Sequence, residues 1–192
     1  MKKILFTAFL SIAAVCSMAH AADIKVAAVE FNPSPKDVDG NIQKIVKAIT
    51  DASNNGAKLM VLPEFSVTGF GFIPSGPRDF DTFPGRATAA IEKVTRKYNN
   101  YVVVGSYELD PITGVIHNAA ALIGPKGYIG KYRKNQLPPG DYDVAAPGNL
   151  GFPVFNTDIG KIALLICFDD TRLQSLLLPS LRGADILATP IG

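Results

Sequence analysis

The stretch Lys161-Ile162-Ala163-Leu164-Leu165-Ile166-Cys167-Phe168-Asp169-Asp170 decides how this chain is read. An apolar run too short for a free-standing helix, rich in β-branched and aliphatic side chains and closed by a polar turn, predicts a fully buried strand. At its end stands a thiol, followed by two carboxylates and then Thr171 and Arg172. A cysteine where a buried strand opens into a turn and a helix is placed for chemistry, because a helix N-terminus lowers thiol pKa and points N–H groups at a bound anion. The alternative is a structural cysteine, since free Cys is among the most buried residue types.

Working outward, residues 152–157 and 161–166 flank Asp158-Ile159-Gly160 as a hairpin that delivers Cys167. Downstream, residues 173–181 predict a helix bent near Pro179, and residues 184–190 a final strand. Far upstream, residues 24–31 predict a strand closed by Asn32-Pro33-Ser34-Pro35, which no regular element tolerates. Val38, Ile42, Ile45, Val46 and Ile49 then recur at helical spacing, with Asp37 as the cap and Asn54-Asn55-Gly56 as the stop. A second buried strand over 58–62 runs into Pro63-Glu64-Phe65. Strand, helix and strand in this order make the unit of an α/β fold with neighbouring parallel strands.

Residues 66–83 follow neither period and read as a long loop of the functional kind. Pro84 opens a second helix with Ala87, Ile91, Val94 and Tyr98 as its buried stripe. Strands over 101–109 and 115–123, joined by Asp110-Pro111-Ile112-Thr113-Gly114, form an antiparallel hairpin, so the sheet is mixed. The basic run Lys131-Tyr132-Arg133-Lys134 reads as a solvated face before a proline-rich loop.

The first residues combine a basic start, Met1-Lys2-Lys3, with an apolar middle and Ala19-His20-Ala21, which predicts a secretory signal peptide over 1–21 and a periplasmic or secreted protein. The apolar run is shorter than the ~20 residues a membrane span needs. Cys16 raises lipid attachment, against which Val15 is too large for the usual pattern. Removing residues 1–21 takes two of nineteen basic residues and no acid, leaving seventeen of each sign. A neutral chain without a strongly basic balance argues against nucleic acid and anionic membrane as electrostatic partners. One cysteine, Cys167, and one histidine, His117, then remain, too few for a clustered zinc site, so no metal is expected.

A thiol of pKa ~8.5 needs a base or a cation beside it to act as a nucleophile. His117 would make a papain-like pair, but it falls mid-strand between packing residues. Glu64 lies at a strand end, where sites of α/β sheets collect, and Lys134 lies in the loop before the Cys-bearing hairpin. A carboxylate that takes the thiol proton and an ammonium that stabilises the oxyanion suffice for acyl transfer.

Leu62-Pro63-Glu64-Phe65, then Gly130-Lys131-Tyr132-Arg133-Lys134-Asn135-Gln136-Leu137, then Ile166-Cys167-Phe168-Asp169 resemble, in this order, the three signatures of the nitrilase superfamily of carbon–nitrogen hydrolases. The resemblance implies an αββα sandwich and a Glu–Lys–Cys triad that hydrolyses amides, carbamoyl compounds or nitriles without a cofactor. Carried over, Glu64 is the general base, Lys134 the oxyanion stabiliser in preference to Lys131, Cys167 the nucleophile, and the Phe168 backbone N–H a second oxyanion donor. Many amidase and carbamoylase members carry a further glutamate between the lysine and cysteine motifs; here the only acids there are Asp141, Asp143 and Asp158. The family domain normally continues beyond the equivalent of Gly192. Residues 22–192 are therefore expected to be its N-terminal portion, completed by a longer product or a partner chain. Homo-oligomers are expected too, with helix 173–181 at an interface. The rival from another class is a catalytically silent fragment that binds a partner.

Overall fold

The computed structural model describes residues 23–71 and 75–192, so the reading of residues 1–21 as a signal peptide, with Cys16, lies outside the described residues. Among the described residues eight strands and three α-helices follow in the order β1 (Val26–Ala28), α1 (Val38–Asn54), β2 (Leu59–Val61), α2 (Arg86–Tyr98), β3 (Tyr101–Leu109), β4 (Ile116–Gly124), β5 (Gly127–Arg133), β6 (Val154–Thr157), β7 (Gly160–Leu164), α3 (Leu173–Leu181) and β8 (Ile186–Ala188). They build a five-stranded sheet in the order β1-β2-β3-β4-β5 and a three-stranded sheet in the order β6-β7-β8. In the first, β1, β2 and β3 run parallel, while β4 and β5 return antiparallel. In the second, β6 and β7 form a hairpin, and β8 joins β7 in parallel through the crossover helix α3.

Strand alternation explains the layers. Val102 and Val104 of β3, with Ala119, Ala121 and Ile123 of β4, pack under Ile45 and Ile49 of α1 and Ile91 and Val94 of α2. The intervening Val103, Ala120 and Leu122, with Tyr132 of β5, pack against Ile162 and Leu164 of β7 and Ala188 of β8. The order of layers is thus helices, first sheet, second sheet, and the crossover α3 has only the outer face of the second sheet to run along. This is the layering of an αββα sandwich. Strands covered on both faces read as continuous apolar runs, as β3, β4 and β7 do.

The helix starts come from side-chain caps. Asp37 Oδ1 accepts from the Gly40 N–H at 3.0 Å and opens α1. The second helix starts at Arg86 rather than at Pro84, because the buried Asp81 carboxylate accepts from the N–H groups of Arg86 and Ala87 at 3.1 and 2.8 Å. That satisfies donors a helix N-terminus otherwise leaves orphaned. The first strand is shorter than its apolar run, three residues instead of eight, since as an edge strand it pairs only where β2 does.

One reading is overturned. The basic run at residues 131–134 is not a solvated face: most of it is the end of β5, paired with β4, and Arg133 and Lys134 are both buried. The strand's pleat sends its charges to opposite sides. Lys131 and Arg133 turn to the helix face with Glu108, which is fully buried and bonded to the Arg133 guanidinium through Nε and Nη2 at 2.8 and 3.2 Å. Lys131 Nζ also pairs with Glu108, and Asp110 takes a further bond from Arg133 Nη2 at 2.7 Å. Burying such charges is tolerable only when each is paired. Replacing Glu108 with Ala leaves Arg133 without its main buried partner, and an expected loss of about 3 kcal/mol of stability follows. A urea-unfolding series checks this; a change below about 1 kcal/mol, the size of a surface pair, would mean the pair is not structural.

Candidate active site

The opposite side of the same pleat faces the second sheet and carries the candidate site. Asn118 on β4 shares its parity with Ala120 and Leu122, and Lys134, which directly follows β5, shares that of Tyr132. Glu64 stands beyond the end of β2 and Cys167 beyond the end of β7, so both reach the same rim of the sandwich. Gly105 on β3 lets the backbone of Glu64 approach: a Cβ there would lie 3.0 Å from Glu64 Cα and 3.1 Å from the Phe65 nitrogen. A side chain at Gly105 would push the carboxylate-bearing turn away.

Lys134 is 2% exposed. Its Nζ donates to Glu64 Oε1 at 2.8 Å and to Asp141 Oδ2 at 2.9 Å. Asn118 Nδ2 braces the same two carboxylates, at 2.7 Å to Glu64 and 3.2 Å to Asp141. Burial alone would pull the lysine pKa down, but the charges and hydrogen bonds of Glu64 and Asp141 outweigh it and the pKa rises. The ammonium is therefore permanent at neutral pH. Asp141 belongs to the short 3₁₀ turn Pro139–Asp143 and supplies a carboxylate between the lysine and cysteine motifs, the place where many amidase-type sequences carry glutamate.

Cys167 opens the 3₁₀ turn Cys167–Thr171, and α3 starts only at Leu173. Its backbone sits at φ 41°, as Phe65 beside Glu64 sits at φ 58°. Left-handed backbone at a non-glycine residue is strained and held by its surroundings. The Cys167 N–H donates to the Pro190 carbonyl at 2.9 Å, and the Glu64 N–H to the Ile191 carbonyl at 3.2 Å, so the segment after β8 straps both residues. The thiol pKa is raised, not lowered as a helix N-terminus would have it. Burial is the largest cause, and the Glu64 charge and its hydrogen bond to the thiol add to it, while Lys134 and the Gly192 N–H act the other way. The expected depression fails because the thiol sits on a 3₁₀ turn and faces a carboxylate.

Asp169, quoted within the cysteine motif without a role, couples two motifs. It is fully buried and accepts from the N–H of Ile166 at 3.0 Å, the N–H of Gln136 at 2.9 Å and the Tyr132 hydroxyl at 2.8 Å. These bonds tie the cysteine turn to the loop after Lys134. Phe168, the residue after the thiol, lies in the same turn, its ring under the Arg172 guanidinium at 5.9 Å. His117 is buried on the helix face of β4, with Nδ1 3.1 Å from the Ala146 carbonyl. Its pKa is lowered, by burial first and then by Arg133, and it stands apart from the thiol. Lys131 is likewise committed to Glu108 and the Phe83 carbonyl. Charge alone does not separate Lys131 from Lys134; the motif position favours Lys134, and opposite pleat parity puts the two lysines on different faces of the sheet.

A thiol, a carboxylate and a permanent ammonium meet at the rim of a two-sheet sandwich, an arrangement chemically suited to acyl transfer. The family is carbon–nitrogen hydrolase: its model matches residues 25–192, and the chain belongs to it. Over 171 residues the chain is 38% identical to a "Nitrilase" of Pyrococcus abyssi, covering 87% of this chain and 64% of that protein. It is 29% identical over 178 residues to a "Citrullinase" of Francisella tularensis, covering 88% and 61%. The chain thus spans less than two thirds of the length of these relatives. Among solved structures, a carbon–nitrogen hydrolase from Helicobacter pylori superposes with TM-score 0.73 at 23% identity, covering 88% of this chain and 60% of that one, a likeness of fold.

The raised thiol pKa has a direct consequence. Since the folded pKa lies above that of a free thiol, the thiolate is scarce at neutral pH and grows in only above the ordinary thiol range. The rate of Cys167 alkylation by iodoacetamide should rise with a midpoint above that of a free cysteine, and Glu64→Gln should bring that midpoint down by removing a charge that opposes ionisation. A midpoint that stays put in Glu64→Gln would mean the two side chains are not coupled.

Proposed function

We propose that this chain hydrolyses a carbon–nitrogen bond of a small amide or N-carbamoyl compound through a thioester on Cys167. The observation that carries it is the Lys134 ammonium held by Glu64 while the Cys167 thiol faces that same carboxylate. Glu64 takes the thiol proton as sulfur attacks the carbonyl carbon, and the resulting oxyanion is met by Lys134 and the Phe168 N–H. The C–N bond then breaks, Glu64 gives its proton to the departing nitrogen, and ammonia or an amine leaves a thioester. Water attacks next, Glu64 accepting its proton, and the acid departs as the thiol is restored. A raised thiol pKa suits this order, since the proton moves at the moment of attack instead of being lost beforehand. Attack on a cyano group by the same residues, through a thioimidate, is the second reading, favoured by the name of the Pyrococcus relative.

Cys167→Ala should lower release of ammonia from a panel of amides, ureido acids and nitriles by about a thousandfold or more, and Glu64→Gln nearly as far. Turnover by Cys167→Ala comparable to the unaltered protein would remove the mechanism. Intact mass of the unaltered protein trapped during turnover should carry the acyl group on Cys167.

Export is supported by the signal-like pattern of residues 1–21. A homo-oligomer is supported by the leucines that α3 leaves to solvent, Leu173 at 72% and Leu181 at 73% exposure, with Leu177 between them. Native mass spectrometry of the exported protein should show Ala22 as the N-terminus, no lipid, and more than one copy per particle. A lipid-modified Cys16 or a monomer would overturn the corresponding part.

A further inference from the structure

A cleft of about 460 Å³ opens off this centre, lined by Phe70, Tyr107, Pro138, Asp141, Asp143 and Val144 among others. Asp141 joins the two spaces, since the carboxylate that grips Lys134 also lines the cleft. An aromatic ladder runs the same way. The Tyr107 ring lies 4.4 Å from that of Phe65, the residue after Glu64, and Phe65 lies 5.2 Å from Phe70 at the exposed mouth. Burial, then the charges of Asp141 and Glu64, push the Tyr107 phenol far above its ordinary range, so it stays a neutral hydroxyl.

The charge of the lining is one-sided. Among the described residues that line it, the only carboxylates are Asp141 and Asp143, and none is an arginine, lysine or histidine. The charge of Asp141 is matched by Lys134, whereas the exposed Asp143 side chain has no ion pair among the described residues. The neighbouring cations Lys131 and Arg133 are bound to Glu108 on the far side of the pleat.

We propose that this cleft receives the acyl chain of the substrate and selects an apolar chain that bears no carboxylate, Asp143 disfavouring an anionic end and accepting an ammonium one. A site that takes carboxylate-bearing amides needs a guanidinium or ammonium to pair with the second charge, because a desolvated anion facing a carboxylate is doubly unfavourable. Here the aromatic ladder offers apolar contact and the rim offers a negative charge. The inference rests on the hydrolase reading above and sharpens it to a substrate class.

The test uses the full chain and three amides of equal length: one ending in a methyl group, one in a carboxylate, one in an ammonium. In kcat/KM the carboxylate-bearing amide should fall about tenfold or more below the neutral one, with the ammonium-bearing one equal to or above it. Asp143→Asn should narrow the gap between the two charged substrates, and Asp143→Lys should invert it. An unaltered protein that prefers the carboxylate-bearing amide, or an order unmoved by Asp143→Lys, overturns the inference while leaving hydrolysis in place. The same three amides titrated onto Cys167→Ala by calorimetry separate the two claims. If none is turned over but binding keeps the expected order, the hydrolase reading falls and the cleft assignment stands. Equal binding of all three, or none, overturns the cleft assignment.

Discussion

An ammonium group taken out of water is costly unless charges of opposite sign meet it, and Lys134 meets two. Much of the site is arranged by that requirement. Glu64 must stand beyond β2 and Asp141 must fold back in its 3₁₀ turn, because both oxygens have to converge on one nitrogen. Asn118 then braces the pair of carboxylates that would otherwise repel each other. Burial opposes ionisation of Cys167 most, and the Glu64 charge adds to it while Lys134 acts the other way. In the proposed reaction the cysteine is consequently a thiol with a base at hand, not a stored thiolate. Cys–His pairs work differently, for there a cation beside the sulfur pulls its pKa down.

The placement of the thiol relies on a second buried acid. Asp169 spends its carboxylate on two backbone N–H groups and one phenol, and these donors come from both the cysteine turn and the lysine loop. Left-handed backbone at Phe65 and Cys167 carries strain. The bonds from Glu64 and Cys167 to the segment after β8, together with the Asp169 bracket, hold these two turns in place. Rigidity of this kind would serve the proposed acyl transfer, where small displacements of the reacting groups cost much of the rate.

The five-stranded sheet keeps two polar systems apart. Glu108, Arg133, Lys131 and His117 lie towards the helices, and Asn118 and Lys134 towards the second sheet. Separation by one residue along β4 and β5 is enough, because successive side chains point to opposite faces. The structural ion pairs therefore stabilise the end of the strand that presents Lys134 without adding their charges to the site.

Much of this was legible in the sequence. Apolar runs and turn signals gave the order of strands and helices, and three short motifs at their observed separations gave the family. Glu64, Lys134 and Cys167 could be named from those motifs. Periodicity failed at β5, whose charges resembled a solvated surface, because polarity alone does not reveal that each charge has a buried partner on a distant strand. The direction of the thiol shift failed likewise, since it depends on which groups surround the sulfur. The role of Asp169 and the choice of Asp141 as the second carboxylate on Lys134 were invisible for the same reason. What the sequence by itself determined is what depends on neighbours in the chain: most of the elements and the residue types at the motifs. Only the tertiary structure decided which charges meet, which face of the sheet each side chain takes, and hence the electrostatics of the site, because Coulomb interactions and desolvation are set by distances and burial that separations in sequence do not encode.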